Sequence, residues 1–155
     1  MNKSFLASEP GIKIIKKGEQ ELVDLEATYQ CPGLVSRIID LPVTDSSLPL
    51  TLGRFEMRPS VDFPFFYESL EVKTVITGRI VVRDEDGVLY EALPGDVLIF
   101  TPPTLVMFCA ESDGEAVFIA HRLEEPSFLP GFDRVIETPI PEKVRAWWKK
   151  TELEA

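Results

Sequence analysis

The sequence predicts an all-β domain, a sandwich or a barrel. Thirteen prolines and nine glycines separate apolar runs of mostly four to seven residues, rich in Val, Ile, Leu and Phe. Short apolar runs bounded by turn residues are the signature of antiparallel strands. The pair Asp86-Gly87 lies between two such runs and is a strong local hairpin signal.

In chain order, the pattern predicts strands over residues 12–16, 34–40, 50–57, 71–77, 79–84, 88–92, 96–100, 105–109 and 116–123. Gly78 permits a tight turn between the fourth and fifth of these. Asp84-Glu85-Asp86-Gly87 closes the next hairpin as a solvated turn. Leu93-Pro94-Gly95-Asp96 turns into the apolar strand Val97-Leu98-Ile99-Phe100, and Pro102 stiffens its exit. Ser112-Asp113-Gly114 marks a further reversal. Residues 124–140, with Pro126, Pro130, Gly131 and Pro139, read as a connector. A helix is expected over 141–150. Pro141 suits its first turn, Glu142 and the pair Lys149-Lys150 complement its dipole, and Val144 and Trp148 share a face. Trp147 and Trp148 fit a helix docked on the barrel or on a partner subunit. The chain of 155 residues is one domain. Residues 1–45 form an arm and the first strands, 46–125 the core, and 126–155 the connector and helix.

Composition narrows the function. The balance of 16 Lys+Arg against 26 Asp+Glu gives a net charge of −10. That argues against nucleic-acid and anionic-membrane partners, which need a basic face. Hydrophobic residues at 45% argue against disorder. No apolar run approaches the roughly 20 residues that span a bilayer, and the N-terminal apolar run is too short for a signal peptide. Cys31 and Cys109 make no disulfide framework, so the expectation is a soluble, cytoplasmic protein with reduced thiols. Cys109, on an apolar strand, is expected to be buried and inert. There is one histidine, His121. This inventory excludes a two-histidine site and a four-ligand Cys/His zinc site. No glycine-rich phosphate loop is present.

The central stretch carries the informative pattern. Glu71 precedes Gly78 by seven positions, and Gly95-Asp96 opens the strand that ends at Phe100, followed by Thr101-Pro102-Pro103. This resembles the two motifs of the cupin superfamily. The resemblance implies a double-stranded β-helix, a small jelly-roll barrel with room inside for side chains or one small ligand. Metal-binding cupins add two histidines before the glutamate and a third after the glycine-aspartate pair. Here those positions fall among Pro64, Phe65, Phe66 and Tyr67, and at Val106. A catalytic metal takes about three protein ligands, so the expectation is a metal-free barrel without cofactor. A sparse metal shell around Glu71, Tyr67 or Glu68 is the weaker alternative.

A closer resemblance links Phe63-Pro64-Phe65-Phe66-Tyr67-Glu68-Ser69-Leu70-Glu71, then Val75-Ile76-Thr77-Gly78, to the cupin domain of the ethanolamine-utilisation EutQ family. Gly95-Asp96-Val97 and Phe108 fall in step with it, over roughly positions 50–125. Pro103 and Lys73 depart from the family pattern. The resemblance implies an acetate-kinase-like activity and a place in amine catabolism and bacterial microcompartments; the same fold hosts many chemistries.

Strand alternation places Glu71, Lys73 and Val75 on one face. In cupins the motif glutamate points inward, which would carry Lys73 inward too. Glu71 and Tyr67 are then candidate catalytic groups for proton transfer and substrate orientation. Lys73 is a candidate ligand for a carboxylate or phosphate. Phe65, Val106 and Phe108 are candidate walls of the ligand cavity. Arg54 and Glu56 join the site if the polar face of their strand points inward. Each residue also has a plainer role: a structural ion pair for Glu71 and Lys73, core packing for the aromatics, an exposed sheet face for Arg54 and Glu56. His121 fits a structural or edge position, and 84–86 lack the oxygen set calcium needs. The expected partners are a small-molecule ligand and a second copy of the chain in a homodimer. Two functions follow: a metal-independent small-molecule enzyme, or a non-catalytic sensor or scaffold.

Overall fold

The structure is a computed structural model, and it describes residues 5–45, 47–132, 134 and 136. Nine strands build it: β1 (Val23–Asp24), β2 (Ser36–Pro42), β3 (Thr51–Met57), β4 (Phe63–Tyr67), β5 (Glu71–Arg83), β6 (Leu89–Ala92), β7 (Val97–Phe100), β8 (Thr104–Phe108) and β9 (Asp113–Ala120). A 3₁₀ turn, Pro126–Phe128, follows. Every strand pair is antiparallel.

The strands curl into two sheets that share β5. One runs β1-β2-β3-β9-β5-β7 and uses the first half of β5, where Glu71 lies opposite Phe100 on one side and Ala120 on the other. The second runs β6-β5-β8-β4 and uses the far half of β5, with Val82 opposite Tyr90 and Phe108. The core lies between them, built from inward residues such as Phe55, Met57, Phe63, Val75, Ile80, Phe108 and Phe118. This is the expected jelly-roll barrel.

The crossing of β5 corrects the turn expected at Gly78. The strand continues through that position, with a bulge between Val75 and Thr77. Gly78 lies opposite Gly114 with φ +67°. A Cβ on Gly78 would stand 1.9 Å from the Asp113 carbonyl oxygen, and one on Gly114 2.5 Å from that of Thr77. The glycines serve backbone contact at a sheet corner, not chain reversal. Gly114 is accordingly a strand residue.

Two further expectations change. Residues 12–16 are not a strand. They belong to an arm held on the outer face, where Arg54 donates to the Ile15 carbonyl and Lys17 pairs with Glu115 at 3.1 Å. The aromatic run, left unassigned by alternation, is β4. The 84–87 hairpin forms as expected, with the Asp84 carboxylate accepting the Asp86 and Val88 N–H groups. The helix expected over 141–150, with both tryptophans, lies outside the described residues. Among the described residues no helix is long and apolar enough to cross a membrane.

Candidate functional site: an ion chain inside the barrel

Alternation along β5 turns Glu71, Lys73 and Val75 inward, all buried, and Val72, Thr74 and Ile76 outward. Glu71 and Lys73 are 3% and 2% exposed. Tyr67 ends β4 just across the barrel, and its hydroxyl donates to Glu71 Oε2 at 2.9 Å. Lys73 Nζ lies 3.3 Å from that same oxygen. Glu71 Oε1 accepts from Arg122 at 3.3 Å. Arg122, just past β9, grips Asp40 of β2 with three contacts of 2.9–3.2 Å. Asp40 also accepts the Glu125 backbone N–H at 2.9 Å. The result is a chain of alternating sign, Lys73–Glu71–Arg122–Asp40, with every charge opposed.

Aromatic rings enclose its lysine end. The Lys73 ammonium sits 3.9 Å from the ring centre of Phe55, 4.8 Å from Phe108, 5.3 Å from Phe118 and 5.8 Å from Phe100. Ring faces attract a desolvated cation. Tyr67 stacks on Phe100 at 4.4 Å between centroids, which fixes the direction of its hydroxyl.

Burial sets the proton affinities. It lowers that of Lys73 from the usual range, opposed by the Glu71 charge. It holds the Tyr67 phenol well above its ordinary value, helped by Glu71, so that the hydroxyl remains a donor. It raises Asp40 to about 6, against the pull of Arg122.

A small cavity adjoins the network. Phe55, Phe63, Phe65 and Phe108 give its apolar wall, while Tyr67, Glu71 and Lys73 give its polar one. Leu25, Ile38 and Phe128 complete its lining. Its volume is about 10 Å³, enough for roughly one water. Beside it Tyr29 meets Phe63 edge-on at 5.5 Å and hydrogen-bonds Ser127 at 3.1 Å.

Five of the residues expected at the site converge there: Tyr67, Glu71, Lys73, Phe65 and Phe108. Arg54 and Glu56 do not. Phe55 and Met57 take the inward positions of β3, which leaves Arg54 outside with Gln20 and Ile15, and Glu56 outside with Arg37. Val106 is buried in the core but is not part of the cavity wall. Arg122 and Asp40 were not anticipated. Phe118, Ala120 and Arg122 share one alternation, as do Ile38 and Asp40. His121, the eye-catching neighbour, is exposed, and its backbone N–H donates to the Leu70 carbonyl. Cys109 is buried, and burial pushes its thiol to about 11.

The donor set does not fit a metal. One carboxylate and one phenol face the cavity, and the carboxylate oxygens are engaged by Tyr67, Lys73 and Arg122. A lysine ammonium stands where a cation would be held. Glu68 is exposed. Among the described residues no group of three His, Cys, Asp or Glu side chains is placed to hold an ion.

No family model and no curated protein sequence matches the chain. Solved structures do. The Clostridium difficile EutQ protein superposes over 71% of this chain and 80% of its own, with TM-score 0.60 and 20% identity. The polyketide cyclase RemF from Streptomyces resistomycificus covers 79% of this chain and 88% of its own, with TM-score 0.54 and 17% identity. Ectoine synthase from P. lautus covers 71% and 79%, with TM-score 0.53 and 17% identity. At such identities the likeness is one of fold. The chain therefore has the cupin, RmlC-like jelly-roll fold, and in structure it resembles EutQ.

Proposed function

We propose that the protein is a metal-independent cupin that binds one small polar molecule in its barrel and acts on it by proton transfer. One observation carries this reading. The Tyr67 hydroxyl, the Glu71 carboxylate and the Lys73 ammonium converge, buried, on a cavity otherwise walled by apolar, mostly aromatic side chains. Burying an ion costs several kcal/mol even after relaxation, and perturbed groups converging on an apolar pocket mark sites of chemistry. Tyr67 would donate a hydrogen bond, and Glu71 would carry the proton.

The acetate-kinase activity implied by the family resemblance draws no support from this site. Phosphoryl transfer relies on Mg²⁺ and free cationic clamps, whereas Lys73 and Arg122 are both paired with carboxylates. A place in ethanolamine catabolism has only the fold likeness behind it.

Thermal melting against a panel of small carboxylates, amines, aldehydes, ketones and alcohols tests the reading. A ligand at a hundred times its Kd should add about 2.7 kcal/mol of stability, and Glu71→Gln should abolish that gain. A panel without any stabilising compound would overturn it.

That last outcome would favour a second reading, a non-catalytic scaffold, which the water-sized cavity supports. We propose in either case that the chain pairs with a second copy. The outer face of β7-β5-β9-β3 carries the rows Ile99–Val72–Ile119–Leu52 and Val97–Thr74–Val117–Arg54. The first row is uncharged and the second ends in Arg54, which the chain's own arm engages; in a protein of net charge −10, two copies can meet along the apolar row with little like-charge repulsion.

A further inference from the structure

We propose that Lys73 is a carbonyl-capturing nucleophile: it condenses with a small aldehyde or ketone inside the barrel to form an imine. The inference rests on the small-molecule reading above and names its substrate class.

Three features of the site converge on this chemistry. The first is proton balance. Lys73 Nζ and Glu71 Oε2 are 3.3 Å apart in a sealed interior. One proton passing between them converts the ion pair into a free amine and a carboxylic acid, and burial favours the neutral amine. Desolvation in an apolar pocket is an established way to make a lysine nucleophilic. The second is charge. An anionic ligand would have to share Lys73 with Glu71 or Arg122 with Asp40, whereas a neutral carbonyl compound brings no charge into a balanced chain. The third is the aromatic enclosure. The four rings that surround the ammonium also suit the protonated imine, a cation of similar size in the same place.

The steps balance without an oxidant or a second reactant. The amine nitrogen forms a bond to the carbonyl carbon as the carbonyl π bond breaks. The new oxygen takes the proton from the Glu71 carboxyl, with Tyr67 hydrogen-bonded to the same carboxyl oxygen. The nitrogen returns a proton to Glu71. Glu71 then protonates the departing hydroxyl, which leaves as water while the nitrogen lone pair closes the C=N bond. The cavity of about 10 Å³ holds roughly one water, so a carbonyl compound is captured only when the lining moves outward to make room for it. Entry requires lining residues such as Leu25, Phe65 and Phe128 to part.

The test is reductive trapping of the full chain with glycolaldehyde and cyanoborohydride at neutral pH, read by peptide mass mapping. A hydroxyethyl group is expected on Lys73 ahead of the exposed Lys13, Lys16 and Lys17. In Glu71→Gln the labelling of Lys73 should slow by about 100-fold, the range of a lost general acid–base, while the three surface lysines label as before. Lys73 left unmodified while they react would overturn the proposal. If a compound of the melting panel still stabilises the protein through Glu71, only the imine falls and the binding reading stands. If none does, both fall.

Discussion

On the inner side of β5, Glu71 and Lys73 are 3% and 2% exposed; on the outer side of the same strand and its neighbours, Ile76, Val97, Ile99 and Ile119 are 47%, 50%, 65% and 48% exposed. Hydrophobic burial alone would distribute these residues the other way round. The inner face keeps its charges by pairing all of them and wrapping the ammonium in rings. The outer face keeps its isoleucines in the open, as a surface awaiting contact does. The inside is thus charged, paired and closed, and the outside apolar and open.

The sharpest way to break this contrast is to remove one ion from the inside. Glu71→Ala strands Lys73 and half of Arg122, and should lower unfolding stability by about 3–5 kcal/mol in denaturant titration. Adding Lys73→Met to Glu71→Gln should recover most of the loss, because an apolar replacement of a whole buried pair is often neutral. A double variant no more stable than Glu71→Gln alone would show that the pair is not the unit.

Next in size is a pH effect from Asp40, which faces Arg122, Glu71, the Glu125 amide and Tyr29. Its folded value of about 6 lies above the ordinary 3.8, so the folded state holds the proton more tightly than the unfolded one. Its contribution is therefore fully present below about pH 4 and is lost as pH rises through about 6, by something of the order of 2 kcal/mol. Asp40→Asn should flatten that slope; an unchanged profile would remove Asp40 as its source.

Tyr67→Phe keeps the ring stacked on Phe100 and removes only the hydroxyl that Glu71 accepts. A loss of about 1.5–3 kcal/mol is expected, as for a hydrogen bond to a charged group. A melt indistinguishable from wild type would indicate that water replaces the hydroxyl. The smallest effect belongs to the outer face. Ile99→Asp should change monomer stability by no more than about 0.5 kcal/mol, yet shift the sedimentation coefficient from dimer to monomer. Wild type sedimenting as a monomer would refute the proposed pairing.

Much of the fold was legible because proline and glycine punctuate it. The exceptions have physical causes. β4 escaped notice because its five residues are apolar or aromatic without alternation and contain Pro64, which an interior strand would exclude. Among the described residues β4 pairs with β8 alone, so Pro64 sits on a sheet edge, where proline is tolerated. Residues 12–16 alternate like a strand but pair with none of the described strands. At the site, Tyr67, Glu71 and Lys73 could be read from local spacing and the cupin resemblance. Arg122 and Asp40 could not, since they meet across 82 positions of sequence and neither belongs to a motif. Arg54 and Glu56 were ambiguous because alternation defines two faces of a strand without saying which is inside.

That ambiguity gives the Gly78–Gly114 crossing its importance. A strand has a parity: moving it one position past its partner exchanges its two faces entirely. β5 carries enough apolar side chains on both faces that either parity would satisfy a core. Only at the crossing do two backbones approach so closely that no side chain fits on either, and only one alignment brings glycine against glycine there. Two residues without side chains thus act as a key. Between that crossing and Glu71 the bulge at Val75–Thr77 switches the buried set from Ile80 and Val82 to Val75, Lys73 and Glu71, so crossing and bulge together turn a carboxylate and an amine toward each other inside the barrel.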